Sequence, residues 1–590
     1  MLHTVRVKRP TPPITLLTDP FLQRPHPDVT EVAWFTEFAG DTHHVIVGEP
    51  VAAMSAEQVH RLIAGESAPG VRVVSAHTTT LSRVAEDAES RLPPGRRPAQ
   101  GIVARAVHRH HALIDVPAGV RTPYRVASVT GAAIAVSDSF TVRGQLRLGE
   151  PAVIMLTSDH QLTVNTAANL HFAAATITSH LGAIDAVFAA GDLVNVPDRA
   201  SEWFDDDSGS GFFPTMQARG SRTGTDGRIY RGGQILQHAP IYPAIGNHDV
   251  QGRRAGHSTL AASFSNPVPR AVADAEYHRN AAAINPGDDP GVKASWIEDN
   301  SFSTTTFQEI FSLPGGRPYY ATTVGDVRLI VLFATRAWRG EGADPDPAMR
   351  TATTRYQDCR TSVDDPLERG HGALLFEDLG VGSQQYDWLR EELESPAFRA
   401  ARYTVVMLHE GPHSLGENAT PPFAHPLRTE DRDARGTVVG YRYDYPAAED
   451  ILLHDVAPLL DAAGVDLVLN GHNHLWNRFV SPTGVNYLEG SNTGNSFGAF
   501  DPASGRQRRV PPAPWNPENY CVHGDPGGLR PALPTTAPVT DTLGRPLPFI
   551  ADDNLVVFQA LDTGTGTVTS WYVDMADPHG SAVMFDVLQL

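Results

Sequence analysis

Five short apolar runs between residues 152 and 469 predict buried strands. Each is four to six residues long and rich in Val, Ile, Leu or Ala, which is typical of strands covered on both faces. The runs are residues 152–157, 186–190, 242–245, 403–408 and 465–469. Apolar residues recur at helical spacing between them, as in residues 166–181 and 452–460. Alternating strands and helices predict an α/β layered domain whose strand ends meet in one crevice.

Helical periodicity is scarce before residue 150, where short alternating stretches prevail. Residues 29–36 alternate like a strand exposed on one side, and the turn residues Gly40 and Asp41 precede a further strand. The predicted strands of this region are 29–36, 44–48, 111–116, 123–129 and 137–144. A β-sandwich of roughly 130 residues fits the usual size of one domain. We therefore predict an extension over 1–17, a β-sandwich over 18–148 and an α/β domain over 149–590.

Long connections separate the elements of the α/β domain. They are rich in Gly, Pro, Ser and Asp, and we expect them to be loops that rim the crevice and select the substrate. These connections are residues 202–237, 251–316, 337–382 and 412–445. Residues 555–560, 567–573 and 582–587 are predicted to be strands that complete the second half of the layered sheet.

Metal-binding residue types follow each of the five apolar runs. They are Asp159, Asp192, Asn247 with His248, His409, and His472 with His474. Carboxylate oxygen and neutral imidazole both suit Zn, Mn or Fe, and a carboxylate can bridge two cations that lie roughly 3.5 to 4 Å apart. Two such cations would attract a phosphate ester. The sequence therefore predicts a two-metal hydrolase.

The ordered set of motifs resembles the calcineurin-like metallophosphoesterases, whose pattern is D-x-H, G-D, G-N-H-D/E, H and G-H-x-H. This resemblance implies hydrolysis of phosphoric ester bonds at two divalent or trivalent metal ions, Fe, Zn or Mn, with a metal-bound hydroxide as nucleophile. It implies that Asp192 bridges the metals, that Asp159 and His474 bind the first, and that Asn247, His409 and His472 bind the second.

The same resemblance assigns roles to the residues beside the ligands. It implies that His248 contacts the substrate phosphate and protonates the leaving group, and that Asp249 orients a neighbouring group. Two positions depart from the family pattern. Gln161 stands where D-x-H has its imidazole, and an amide oxygen binds metal more weakly. Asn195 stands where purple acid phosphatases, a branch of the superfamily, have a metal-binding Tyr, so we expect a colourless protein. Gln161 and Asn195 are both candidate metal ligands. Other branches have an Asp at the position of Asn195 that orients the catalytic His, and Asn195 could do so only as a neutral partner.

The N-terminal region resembles the fibronectin-like front domain of purple acid phosphatases. The expected fold is a layered αββα metallophosphoesterase sandwich preceded by an all-β sandwich domain. Two alternatives to a general phosphoesterase stay open: a small-nucleotide phosphodiesterase on the same core, and a metal-binding protein with weak catalysis. The imidazole of His248 argues against the latter and Gln161 argues for it.

The net charge and the apolar pattern limit which partners and which cellular location we expect for the chain. The formal net charge of -20 over 590 residues argues against binding of extended nucleic acid, so we expect a small phosphoester as substrate. No apolar run has the length of a membrane span. The start lacks the apolar core of a signal peptide, so we expect a cytoplasmic protein, with secretion as the alternative if the true start lies elsewhere. Nothing in the sequence indicates the oligomeric state.

Histidines also cluster in the N-terminal region, away from the five motifs. They are His43 and His44, and His108 with His110 and His111. We interpret them as surface histidines and not as a metal site. The two cysteines, Cys359 and Cys521, are too few to indicate a disulfide framework.

Overall fold

The structure, a computed structural model, describes residues 14–26, 28–336, 339–372, 377–533, 539–541 and 543–590. Most of the predicted extension, residues 1–13, lies outside the described residues. The described chain is a mixed α/β structure with many sheets and few helices. Within it, no helix has the length and apolar character that crossing a bilayer requires.

Two antiparallel sheets form the N-terminal region. Its elements are β1 (Phe21–His26), β2 (Val29–Thr36), β3 (Thr42–Val47), α1 (Ala56–Ile63), β4 (Arg72–Ser75), β5 (His77–Thr80), β6 (Ala85–Glu86), β7 (Val103–Ala104), β8 (His108–Ile114), β9 (Arg121–Thr130), β10 (Ala133–Val136) and β11 (Phe140–Arg143). One sheet has the order β1-β2-β8-β5, and the other has β10-β9-β3-β4 with β11 also paired to β9. Side chains of both sheets, among them Trp34, Val45 and Tyr124, share one hydrophobic cluster. The strand predicted over residues 29–36 is confirmed as β2.

Two of the N-terminal histidines are buried, so their interpretation as surface residues is wrong. His43 is 5% exposed and His110 is 0% exposed, and their rings stack with centroids 3.5 Å apart. The Nδ1 and Nε2 atoms of His110 lie 2.9 and 2.8 Å from the hydroxyls of Thr78 and Thr36. His43 lies on β3 of one sheet and His110 on β8 of the other, so contact between the two sheets buries these rings. The local sequence does not reveal this contact.

The rest of the chain alternates strands and helices. Its first part contains β12 (Val153–Thr157), α2 (Thr166–His180), β13 (Ala186–Ala189), α3 (Ala200–Phe204), α4 (Phe212–Met216), β14 (Arg222–Thr223), β15 (Ile229–Tyr230), β16 (Ile241–Pro243), α5 (Leu260–Phe264), α6 (Arg270–Ile284), α7 (Pro290–Asp299), α8 (Thr305–Ile310), β17 (Tyr320–Val324) and β18 (Val327–Val331). Its second part contains β19 (Gln357–Asp358), α9 (Gln384–Leu393), α10 (Pro396–Ala400), β20 (Tyr403–Met407), β21 (Leu427–Arg432), β22 (Val438–Asp444), α11 (Ala457–Ala463), β23 (Leu467–Asn470), β24 (Trp476–Val480), β25 (Asn486–Gly490), β26 (Phe549–Ile550), β27 (Leu555–Asp562), β28 (Thr567–Asp574) and β29 (Val583–Gln589).

The five predicted strands are present and divide between two sheets. The first sheet has the order β16-β13-β12-β27-β28-β29, and the second has β17-β18-β20-β23-β25-β24-β26. β12, β13 and β16 are parallel in the first sheet, and β20 and β23 are parallel in the second. The three C-terminal strands extend the first sheet in antiparallel fashion. Apolar side chains of both sheets, such as Met155 and Leu469, belong to one hydrophobic cluster.

All four predicted loops contain some regular structure, so the prediction of structureless loops is wrong. Residues 202–237 carry α4 and the β14–β15 hairpin, and residues 337–382 carry β19. Residues 251–316 carry the four helices α5 to α8, and residues 412–445 carry the β21–β22 hairpin, which pairs with β19. Helices α6 and α7 share a small core of Ala273, Tyr277 and Ile297. A helix pair that buries only three apolar side chains has a weak apolar stripe, which is why the sequence pattern resembles a loop.

Candidate metal centre

Five buried Asp and His side chains meet where strands of both sheets end. Asp159 follows β12, Asp192 follows β13, His409 follows β20, and His472 and His474 follow β23. They form two groups, Asp159 with Asp192 and His474, and Asp192 with His409 and His472. In each group the possible ligand atoms lie within 4.8 Å of one another. Asp192 belongs to both groups, and we call the five residues together the metal centre.

Two of the imidazoles are held by backbone carbonyls on the side away from the centre. His409 donates its Nδ1–H to Ala190 O at 2.7 Å, and its Nε2 lies 3.1 Å from Asp192 Oδ2. His474 donates its Nδ1–H to Asn495 O at 2.9 Å, and its Nε2 lies 3.3 Å from Asp159 Oδ1. A carbonyl at Nδ1 fixes the tautomer that leaves the Nε2 lone pair for a metal.

The predicted amide ligands also lie at the centre. Asn247 Oδ1 lies 3.2 Å from His409 Nε2, so this oxygen faces the same space as the second group. Gln161 donates its Nε2–H to Asp192 Oδ2 at 3.2 Å. Asn195 turns its side-chain amide to the main-chain oxygen of Gln161, at 2.6 Å. Direct metal binding by Gln161 and Asn195 therefore stays a prediction, and Asn247 is the amide best placed for it.

His248 lies beside the centre and is only partly buried. Its backbone N–H donates to Asp192 Oδ1 at 2.7 Å, and its Nδ1–H donates to Asn195 O at 2.9 Å. The ring stacks on Phe264 with centroids 4.9 Å apart and an angle of 25°. Asn195 thus orients His248 through its backbone oxygen, while its side-chain amide donates to Gln161 O. These contacts leave Nε2 of His248 as the atom that can meet a substrate.

Asp249 is fully buried beneath the loops that carry the centre. Its carboxylate accepts the backbone N–H groups of Asp192 and Gly246 at 2.9 Å and that of Leu193 at 3.2 Å. Burial and the neighbouring Asp192 carboxylate raise the pKa of Asp249 to about 8. Asp249 therefore acts on the backbone that positions Asp192, which agrees with the expected orienting role and not with direct contact to substrate.

The electrostatics of the centre favour positive charge. Burial alone would raise the pKa of Asp192, yet His409 and His248 hold that pKa below its usual value. Burial alone would lower the pKa of His409, but the Asp192 carboxylate raises it well above the usual value. Burial and the His409 imidazole lower the pKa of His472 well below its usual value, so His472 is a neutral ligand type. Two buried carboxylates thus attract a cation while a neutral imidazole offers its lone pair.

Backbone strain concentrates at the centre. Of the eight described non-glycine residues with positive φ, five are candidate ligands: Asp159 (55°), Gln161 (39°), Asp192 (55°), His472 (81°) and His474 (55°). Left-handed backbone is uncommon for such residues and costs of the order of 1 kcal/mol or more each. Surrounding contacts must therefore impose it, and strain of this kind gathers at functional sites.

Two motif glycines let the loops approach one another. A Cβ atom on Gly246 would overlap the carboxylate of Asp192, and one on Gly471 would overlap the side chains of Ser158 and Asp159. These are the glycines of the G-N-H-D and G-H-N-H segments. Any side chain at either position would push a ligand-bearing loop away from the carboxylate of the neighbouring one.

Several residues that support the centre were missed by sequence reasoning. Glu489 is buried in β25 and accepts the backbone N–H of Asn473 at 2.8 Å, which holds the loop between His472 and His474. Phe497 stacks on His474 with centroids 4.2 Å apart and an angle of 19°. An acidic residue directly after Tyr487 and Leu488 was a signal for Glu489, whereas nothing in the sequence distinguishes Phe497.

The donor set fits metal ions. It supplies carboxylate oxygens, imidazole nitrogens whose other ring nitrogen is bonded to a carbonyl, and an amide oxygen, which together suit Zn, Mn or Fe. The structure thus has buried Asp and His groups that could bind a metal ion.

Comparisons with known proteins add little to this geometry. No family model matches the chain, and no curated protein matches it. Among solved structures the chain is similar to GAP50, described as the anchor in the inner membrane complex of Plasmodium. The two are 10% identical, the match covers 74% of this chain and 90% of that chain, and the TM-score is 0.31. The function must therefore be argued from the side chains of the metal centre.

Proposed function

We propose that the chain is a two-metal hydrolase of phosphoric ester bonds and a member of the calcineurin-like metallophosphoesterase superfamily. The observation that carries the proposal is that Asp192 belongs to both donor groups. A carboxylate shared by two sets of ligands is how a protein holds two cations roughly 3.5 to 4 Å apart. Asp159 and His474 would hold one ion, and His409, His472 and Asn247 would hold the other.

The layout of the chain supports the same proposal. Helix α2 contacts β27 of the first sheet, and the side chains of α9 and α11 belong to a cluster that includes Val406 and Val468 of the second sheet. We take these layers as the αββα sandwich of the superfamily. The two N-terminal sheets would correspond to the front domain of purple acid phosphatases.

His248 is the proton donor in this proposal. Its Nδ1–H is bonded to Asn195 O, so a protonated ring presents Nε2–H to the ester oxygen that leaves. The partly buried ring can reach a substrate while Phe264 holds its plane. Loss of a positioned general acid usually costs about 100- to 10,000-fold in rate.

Bound metal ions would lower the pKa of coordinated water and neutralise the phosphoryl oxygens. The chain's own contribution is to place the ligands before substrate arrives. The carboxylates of Asp249 and Glu489 accept hydrogen bonds from the backbone of the Asp192 loop and of the loop that carries His472. Little reorganisation therefore accompanies substrate binding.

Metal analysis combined with ester hydrolysis tests the proposal. The purified protein is expected to bind two equivalents of Zn, Mn or Fe per chain and to hydrolyse a chromogenic phosphomonoester or phosphodiester in proportion to metal content. Hydrolysis of small cyclic nucleotides alone would favour the phosphodiesterase alternative. Two bound metals without hydrolysis of any ester would favour the metal-binding alternative, and a chain that binds fewer than two would contradict the proposal.

A further inference from the structure

Phe497 occupies an unusual position at the edge of the metal centre. It is 48% exposed and is the one aromatic side chain among the large exposed hydrophobic residues of the described chain. One face of its ring covers the imidazole of His474, at 4.2 Å and 19°. Exposed aliphatic residues are common, but an aromatic ring is usually buried because it gains more from leaving water. Phe497 therefore stands out as a surface aromatic next to the proposed reaction site.

The backbone around Phe497 is held in place on both sides. Asn495 O accepts the Nδ1–H of His474 at 2.9 Å, and Ser496 N donates to Asp553 Oδ1 at 2.7 Å. Gly498 has a φ of 99°, and a Cβ atom there would overlap the guanidinium of Arg506. The ring is thus presented by a tied segment, so little conformational entropy is lost when a ligand packs against it.

The two phenylalanines of the site differ in a way that indicates their roles. Phe264 is the last residue of helix α5, is partly buried and stacks on His248, so its position serves the orientation of that imidazole. Phe497 instead leaves a large part of its ring in solvent while its other face lies on a candidate ligand. A ring that only supported His474 would not need that exposure.

We propose that Phe497 is a stacking platform for a planar aromatic group in the alcohol part of the substrate. This inference rests on the proposed phosphoesterase function and names its substrate class: phosphoesters that carry an aryl group or a nucleobase. An uncharged ring selects for flat aromatic shape and not for charge, and stacking against an aromatic side chain tolerates many ring types. His474 then links the platform to the metal that Asp159 and His474 would hold.

Binding of matched phosphonates to the metal-loaded protein tests the platform without turnover. Benzylphosphonate and cyclohexylmethylphosphonate have similar size and charge and differ in aromaticity. Calorimetry is expected to show about fivefold tighter binding of benzylphosphonate to the wild type, within the range for one aromatic pair. Phe497→Leu should bring the ratio of the two affinities close to one, and Phe497→Trp should keep or increase the preference. Ile229→Ala, which changes an exposed residue of β15, is the control and should keep the wild-type ratio.

A second ligand pair identifies the source of the aromatic group. A nucleoside 5′-monophosphate and ribose 5-phosphate differ by the base alone. The platform is supported if either pair, or both, shows a preference for the aromatic ligand that depends on Phe497. The pair that shows the preference indicates whether the aromatic ring follows the ester directly or after a sugar. Equal affinities within both pairs in the wild type would overturn the inference, as would preferences that persist in Phe497→Leu at unchanged metal content.

The results distinguish a failure of the Phe497 platform proposal from a failure of the proposed hydrolase function. If esters are hydrolysed but both affinity ratios are close to one, the platform alone is wrong. If the phosphonates show the Phe497-dependent ratio but no ester is hydrolysed, the hydrolase proposal is wrong while the aromatic subsite stands.

Discussion

Two histidine clusters in this molecule look similar in sequence but differ in chemistry. The first is the front stack, His43 and His110, in which each ring nitrogen bonds to a hydroxyl or a carbonyl oxygen. The second is the metal centre, where imidazoles lie within 3.1 to 3.3 Å of the carboxylates of Asp159 and Asp192. Both are buried. The number of neighbouring histidines therefore does not indicate a metal site, whereas carboxylates placed opposite the imidazoles do.

The two clusters respond to charge in opposite directions. Burial and the neighbouring His43 ring lower the pKa of His110 to about 3, so the front stack excludes a proton. In the metal centre, Asp192 raises the pKa of His409 well above its usual value, so that cluster attracts positive charge. The comparison teaches that partners, and not burial alone, decide whether a histidine cluster accepts or rejects a cation.

The largest expected effect is that of Asp192→Asn. Since this carboxylate belongs to both donor groups, the variant should lose both metals together, and hydrolysis should fall by at least about 10,000-fold, the upper end of what one lost proton donor costs. Elemental analysis and initial rates measure the two losses. The matched control is Asp525→Asn, which changes a buried carboxylate that pairs with His413 outside the metal centre, and its metal content should stay unchanged. Retention of one metal in Asp192→Asn would contradict a bridging role.

His248→Ala should lower turnover by about 100-fold or more while metal content stays nearly intact. The reason is that the side chain of His248 bonds to Asn195 O and stacks on Phe264, while the five residues of the metal centre are untouched. Initial rates with a chromogenic ester measure turnover, and elemental analysis measures the metal content. His454→Ala, an exposed histidine on the turn before α11, serves as control. Normal turnover in His248→Ala would show that His248 is not the proton donor.

The front stack should make stability depend on pH. The folded state resists protonation of His110, so the unfolded chain binds that proton first, below a pKa of about 6.5. The contribution is complete above pH 6.5 and is lost as pH falls toward 3, at up to about 1.4 kcal/mol per pH unit. His110→Gln, which removes the titrating group, should flatten this slope in denaturant unfolding between pH 6.5 and 4.5. An equal slope in both proteins would show that His110 does not titrate on unfolding.

Gln161→His should have the smallest effect and should make the metal centre resemble the family pattern more closely. An imidazole binds metal more strongly than an amide, and we expect the metal at Asp159 and His474 to be held about 10-fold more tightly. Competition with a chelator measures the affinity. Unchanged metal affinity would mean that Gln161 is not a ligand. Its role would then be the hydrogen bond that it donates to Asp192 Oδ2.

The sequence predicted that the Asp and His residues of the metal centre lie together because the signal for each is local. Their role as metal ligands stays a prediction. Asp159 and His409 each follow a short buried run directly, and the loop after such a strand must lie at the sheet edge. The order of the motifs then added Asp192 and His474. What local patterns cannot specify is which sheet a strand joins, so the division of the five runs between two sheets became visible only in the structure.

Contacts between residues that are distant in sequence explain most of what the sequence did not predict. His110 lies in a polar stretch of β8 and becomes buried because its ring stacks on His43, which lies on β3 of the other sheet. Phe497 belongs to a proline-rich connection, and only folding brings it onto His474. Helices α6 and α7 bury few apolar side chains, so their apolar pattern is too weak to distinguish from a loop.

Electron paramagnetic resonance of the Mn²⁺-reconstituted protein tests the central claim most directly. If Asp192 bridges two ions roughly 3.5 to 4 Å apart, two equivalents of Mn²⁺ should give the spectrum of a spin-coupled pair. Asp192→Asn should abolish that spectrum. Two equivalents that bind to the wild type but give the spectrum of isolated ions would contradict a shared carboxylate and, with it, the proposed two-metal hydrolase.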